Sequence, residues 1–174
     1  MICRQPSKKE RTRINRALNR WGAFEFFEHK PIMIQEVGTK KVVCLVSYDI
    51  EKAMYVKEHL YSAGLAIGEL KKQFTPSIAG ADLFTRYGKR DNKYYIMVSE
   101  KAESLVLYGR DVMGESIVAA SDSLDENDLV IVLNTAFETI AVGRTRFAGR
   151  SLFKKGRVTV STIADAGYYL REEG

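Results

Sequence analysis

Apolar positions recur at two periods along this 174-residue chain, and each switch of period marks a new element. Ile14, Ala17, Leu18 and Trp21 stand at i, i+3, i+4 and i+7, one face of a helix. Ahead of them, Ser7-Lys-Lys-Glu10 has the form of a capping box, in which Ser7 accepts from the Glu10 backbone N–H and the Glu10 side chain reaches back. A helix over residues 8–21 is predicted. Residues 24–27 and 32–37 then read as strands, with Pro31 at the start of the second; residues 38–41 form a turn and residues 42–46 an apolar strand, together an antiparallel meander. Ser47 or Asp49 caps a helix over residues 50–61, with Ala53, Met54, Val56, Lys57 and Leu60 toward the core and Gly64 at its end. Residues 65–74 are expected as one strand ending before Pro76, residues 79–87 as a short helix, and residues 88–92 as a polar loop.

The pattern changes after that loop. Short apolar runs at residues 94–98, 105–113, 116–119, 129–133, 139–142 and 158–160 are separated by turns, with an acidic loop at 122–128. Helix is expected only as a short opening at 99–102 and a terminal piece at 165–170. Many short strands with little helix indicate a small barrel or sandwich. The fold class is therefore α+β in two domains, residues 1–93 and 94–174, the first an antiparallel sheet with packed helices.

Within the second domain, residues 128–161 change character partway. Two strand-like runs end at Gly143, and residues 144–157 then hold six basic residues (Arg144, Arg146, Arg150, Lys154, Lys155 and Arg157), no acid, and Phe147 and Phe153. Arg144 and Arg146 share strand parity with the apolar Ile140 and Val142. Either the strand runs past the edge of the core, or Gly143 marks a bulge that re-aims the arginines. Both outcomes put them at a rim. The two phenylalanines either stack on bases or plug the core beneath an irregular loop.

Charge sharpens the picture. The chain is 45% hydrophobic and 28% charged, an ordinary folded composition, with a net charge of +5. Residues 4–20 add seven basic residues (Arg4, Lys8, Lys9, Arg11, Arg13, Arg16 and Arg20) against one acid, Glu10. Together the two basic segments carry 13 basic residues and one acid, while the rest of the chain carries 14 basic and 21 acidic. Concentrated cations on an acidic body imply a polyanion partner at defined patches. On the first helix, Lys9, Arg13, Arg16 and Arg20 fall within an arc of about 60° beside the apolar stripe. That ridge is either a second phosphate-facing surface or a solvated face.

Other chemistries find little footing. There is no Gly-rich phosphate loop, no nucleophile elbow and no His/Cys metal spacing. His29 and His59, the two histidines, sit in unrelated segments, and no acid pair stands out for acid–base roles. No catalytic residue, metal site or cofactor is assigned. Cys3 and Cys44 lack metal spacing, which together with the charged N-terminus points to a reducing, cytoplasmic setting. No apolar run approaches the ~20 residues that span a bilayer, so no membrane partner is expected. Clustered Lys and Arg with interleaved aromatics instead fit RNA or DNA, by phosphate neutralisation and base stacking.

Leu105-Val-Leu-Tyr-Gly-Arg-Asp-Val-Met113, the strand at 128–132, Ile140-Ala-Val-Gly-Arg144, Gly156-Arg-Val-Thr-Val160 and Asp165-Ala-Gly-Tyr-Tyr-Leu-Arg171 resemble a PUA domain, a compact pseudo-barrel. Gly68-Glu-Leu-Lys-Lys-Gln-Phe74, Ala81-Asp-Leu-Phe84 and Leu107-Tyr-Gly109 extend the resemblance to nearly the whole chain, as an archaeal-type member of the Nip-seven family of ribosome biogenesis factors. The resemblance implies an α/β N-terminal domain before the PUA domain. It implies a non-catalytic RNA-binding role in large-subunit assembly and pre-rRNA processing, with protein partners reached through the N-terminal domain. It further implies binding of single-stranded, U-rich RNA through Arg144, Arg146, Arg150, Lys154, Lys155 and Arg157; a monomer, nucleolar in a eukaryote, is expected. The alternatives are an RNA-modifying enzyme, or its targeting subunit, that docks rRNA or tRNA through the PUA domain, and a pure protein adaptor.

Overall fold

The structure, a computed structural model, describes residues 2–54, 64–89, 91–168 and 171. It divides into two compact units, Met1–Lys89 and Arg90–Gly174.

The N-terminal unit runs β1 (Ile2–Arg4), α1 (Lys8–Arg20), α2 (Phe24–Phe27), β2 (Ile32–Val37), β3 (Lys40–Leu45), α3 (Tyr48–Met54), β4 (Leu65–Leu70), β5 (Phe74–Pro76) and α4 (Ile78–Tyr87). The five strands form one antiparallel sheet in chain order. The capping box of α1 is in place: the Glu10 N–H donates to Ser7 Oγ at 3.3 Å and the Ser7 N–H to Glu10 Oε2 at 2.8 Å. The predicted stripe is its buried face, Ile14, Ala17 and Leu18, with Trp21 closing it. Trp21 stacks on Phe84 of α4 at 5.5 Å, and Phe27 meets the same ring edge-on at 5.6 Å. Burying each Phe-sized side chain contributes about 1.5–3 kcal/mol, so this aromatic cluster is a main hold among α1, α2 and α4.

Two expectations are corrected here. Residues 24–27 form a single helical turn, not a strand. The edge of β2 that such a strand would need is taken by β1, which the short apolar–polar sequence of residues 2–4 did not reveal. Residues 65–74 are two strands of a hairpin. Leu70 and Phe74 are both buried and face each other across it, while Lys71, Lys72 and Gln73 are exposed and form the turn. Pro76 is tolerated within β5 because β5 is an edge strand paired on one side only. Of the two caps considered for α3, Ser47 fills the role, its Oγ accepting from the Ile50 N–H at 3.3 Å. Val56, Lys57, His59 and Leu60 of the expected 50–61 helix lie outside the described residues.

The C-terminal unit runs β6 (Tyr95–Val98), α5 (Glu100–Leu107), β7 (Val112–Met113), β8 (Ile117–Ala120), β9 (Leu129–Leu133), β10 (Thr139–Thr145) and β11 (Val158–Asp165). Its curled sheet has the order β7-β11-β10-β9-β6-β8, antiparallel throughout except for the parallel pair β6 and β9. Every residue of β9 is buried, as its unbroken apolar run requires of a central strand covered on both faces. The core gathers Ile96 and Val98 of β6, Val130 and Val132 of β9, Val106 of α5 and Leu152. The helix expected to open at 99–102 continues to Leu107, so the 105–113 motif straddles a helix end, a turn and β7. Of the terminal piece expected at 165–170, Asp165 still belongs to β11, and Tyr169 and Leu170 lie outside the described residues.

Candidate nucleic-acid interface

β10 continues past Gly143 to Thr145, and its register against β11 shifts between Val142 and Gly143. The extra residue of that bulge lies on β11, at Ile163, whereas β10 keeps regular register with β9 from Val142 to Arg144; Arg144 and Arg146 therefore keep the parity of Val142, and the strand runs past the edge of the core. A Cβ on Gly143 would lie 2.6 Å from Val160 Cγ1, so the close strand approach at the bulge needs glycine. Beyond it, the buried Thr145 turns inward and Arg146 outward.

The basic segment that follows is tied to the barrel at several points. The Arg146 N–H donates to the Thr159 carbonyl at 2.8 Å, and the Gly114 N–H to that of Arg157 at 2.9 Å. The Gly156 N–H donates to Glu115 Oε2 at 3.0 Å. A 3₁₀ turn, Gly149–Phe153, drives Leu152 fully into the core. Residues 154–157 then stand in solvent.

The six cations divide into two groups. Arg144 donates to the Asn127 carbonyl at 2.8 Å; Arg146 donates to Asp111 Oδ2 at 3.1 Å and to Ser161 Oγ at 2.6 Å; Arg150 donates to Asp122 Oδ2 at 3.1 Å. The Arg150–Asp122 pair is 89% and 61% exposed, so it is worth at most about 1 kcal/mol and exchanges readily for another anion. Lys154 caps the Phe147 ring at 5.4 Å, a cation–π contact. Lys155 and Arg157 are exposed and make no ion pair with a described residue. The two phenylalanines also separate: Phe147 packs against the core, whereas Phe153 is 37% exposed.

The N-terminal cations are placed differently. Arg4 belongs to an internal network: its guanidinium makes two bonds to Glu10, at 2.8 and 2.9 Å, and two to Glu36, at 3.0 and 2.7 Å. Arg13, Arg16 and Arg20 line one depression together with Lys72, while Lys9 lies in another with Glu10 and Lys41. Lys72 was missed from sequence. Its signal was the Lys71-Lys72 pair between two buried apolar residues.

Among the described residues, no group of three His, Cys, Asp or Glu side chains could hold a metal ion. Both cysteines are free thiols; burial, then the neighbouring Cys3, pushes Cys44 up to about 11. No described helix is long and apolar enough to cross a membrane.

Residues 94–174 match the UPF0113 PUA domain, and residues 3–78 match the NIP7/UPF0113 pre-PUA domain. Together they define an RNA-binding class of protein with a role in ribosome biogenesis. The chain is 33% identical over 175 residues to a UPF0113 protein from Archaeoglobus fulgidus, a match covering 99% of this chain and 97% of that one; it belongs to the UPF0113 family. Its fold is shared by a conserved PUA domain protein from Thermoplasma acidophilum (TM-score 0.70) and a hypothetical protein from Pyrococcus horikoshii (TM-score 0.72). Each is 20% identical, with 99% of both chains covered.

Proposed function

We propose that this protein is a non-catalytic RNA-binding factor acting in large-subunit assembly and pre-rRNA processing, and that it holds single-stranded, U-rich RNA on residues 144–157. The observation that carries this reading is the exposed Lys154-Lys155-Gly156-Arg157 turn on a loop anchored to the barrel. A fixed cluster of unscreened cations neutralises phosphates and releases their counterions at little ordering cost. Arg144, Arg146 and Arg150 extend the surface, each able to trade its present acceptor for a phosphate oxygen. Phe153 supplies an exposed ring on which a base can stack. Residues 1–93 serve as the partner domain for other assembly proteins, residues 94–174 as the RNA domain, and the protein acts as a cytoplasmic monomer.

Ultraviolet crosslinking of the protein to RNA in its own cells tests this directly. Crosslinked peptides from residues 144–157 joined to uridine-rich pre-rRNA segments are expected. Recovery of no RNA, or of peptides only from elsewhere, contradicts it.

A further inference from the structure

The cleft between α1 and the β4–β5 turn is a feature the loop reading leaves unused. It holds about 220 Å³ and is lined by Arg13, Arg16, Arg20, Lys72, Gln73 and Trp21, with Ala17 and Phe74. No acidic residue lines it. Arg13, Arg16 and Arg20 stand at i, i+3 and i+7 of α1, so they repel one another along one ridge. Arg13 is aimed at the turn, its Nη1 donating to the Lys71 carbonyl at 3.2 Å. Of the turn's two lysines, Lys71 is paired with Glu69 at 3.1 Å, but Lys72 and Arg16 make no ion pair with a described residue. A second observation is independent of these charges. Trp21 is fully buried, and its indole Nε1–H has no acceptor among the described residues. A buried donor without an acceptor costs free energy, and this one belongs to a residue that lines the cation-walled cleft.

We infer that this cleft is a second RNA contact, taking a backbone phosphate of a single strand between Arg13, Arg16 and Lys72, against the wall formed by Trp21. Its volume falls below the roughly 300 Å³ at which pockets for drug-sized ligands begin. It therefore suits a phosphodiester rather than a whole nucleotide, and the buried Trp21 ring, already stacked on Phe84, gives no stacking platform for a base. The inference extends the RNA-binding reading to the N-terminal unit and is separable from the loop.

Trp21 is the sole tryptophan, so its emission reports on the cleft alone. The full chain is titrated with oligouridylate while Trp21 emission and the anisotropy of labelled RNA are followed. Three proteins are compared: wild type, Arg16→Ala/Lys72→Ala and Lys154→Ala/Lys155→Ala/Arg157→Ala. A saturable emission change is expected in the wild type. It persists in the loop variant, whereas in the cleft variant its midpoint moves by about tenfold or more to higher RNA. Emission that stays flat at RNA concentrations saturating the anisotropy overturns the inference. So does an unchanged midpoint in the cleft variant. Failure of the loop reading looks different: the loop variant then binds with wild-type anisotropy.

Discussion

Glu10 accepts from Arg4 twice, from Lys41 Nζ at 2.8 Å and from the Ser7 N–H, all while nearly buried. The Arg4 guanidinium holds its carboxyl well below the usual carboxylate range against the opposing pull of burial, with Lys41 and Ser7 adding to the effect. Its folded pKa is depressed, so its contribution is present above the unfolded value of about 4.3 and is lost as pH falls through the folded value. Glu10→Gln is expected to lower stability by about 1–3 kcal/mol at neutral pH, with the gap to wild type closing as the medium becomes acidic. Denaturant melts from pH 7 down to strong acid measure this; a gap that does not change with pH contradicts it. The capping half of this residue's role was legible, because Ser7 and Glu10 are three positions apart. The ion-pair half was not, because Glu36 is 32 positions from Arg4 and nothing local joins them. Counting Arg4 among the cations of residues 4–20 therefore overstated the charge available to a ligand.

The basic loop owes its position to its neighbours. A Cβ on Gly114, in the turn after β7, would lie 2.2 Å from the Lys154 carbonyl oxygen and 2.8 Å from its backbone N. Backbone cannot swing aside as a flexible side chain can. Gly114→Ala is therefore expected to cost about 1–3 kcal/mol in stability and to displace residues 154–157, weakening RNA binding with no change of charge. Thermal melts and RNA titration of the one variant check both effects; wild-type affinity in a destabilised Gly114→Ala protein contradicts the coupling. Elements with a long or uniform apolar pattern, such as α1 and β9, were legible from sequence. The turn at 24–27 was not, since four residues of mixed pattern fit strand or helix equally and a distant strand decided the matter. The hairpin at 70–74 was blurred because its turn is built from Lys71, Lys72 and Gln73 rather than from glycine or proline. At Gly143 sequence parity exposed a conflict, and it is resolved by β10 running past the core, so that Arg144 is half-buried and Arg146 exposed.

Across the whole chain, 13 of the 27 basic residues fall in two short segments that hold one of the 22 acids. Those segments belong to different units, one built on α1 and the other on the loop between β10 and β11. The uneven distribution was visible in sequence. Which cations stand ready for a ligand was not, because the acceptors Asn127, Asp111 and Asp122 reach Arg144, Arg146 and Arg150 only in the fold. RNA is expected to engage Lys154, Lys155 and Arg157 first, exposed side chains whose removal should leave the fold intact. The most direct test is the salt dependence of binding to a U-rich single strand by wild type and by Lys154→Ala/Lys155→Ala/Arg157→Ala. Weaker binding is expected, with a log–log salt slope shallower by about 2, from about 0.7 per lost phosphate contact on a single strand. An unchanged affinity with an unchanged slope contradicts it.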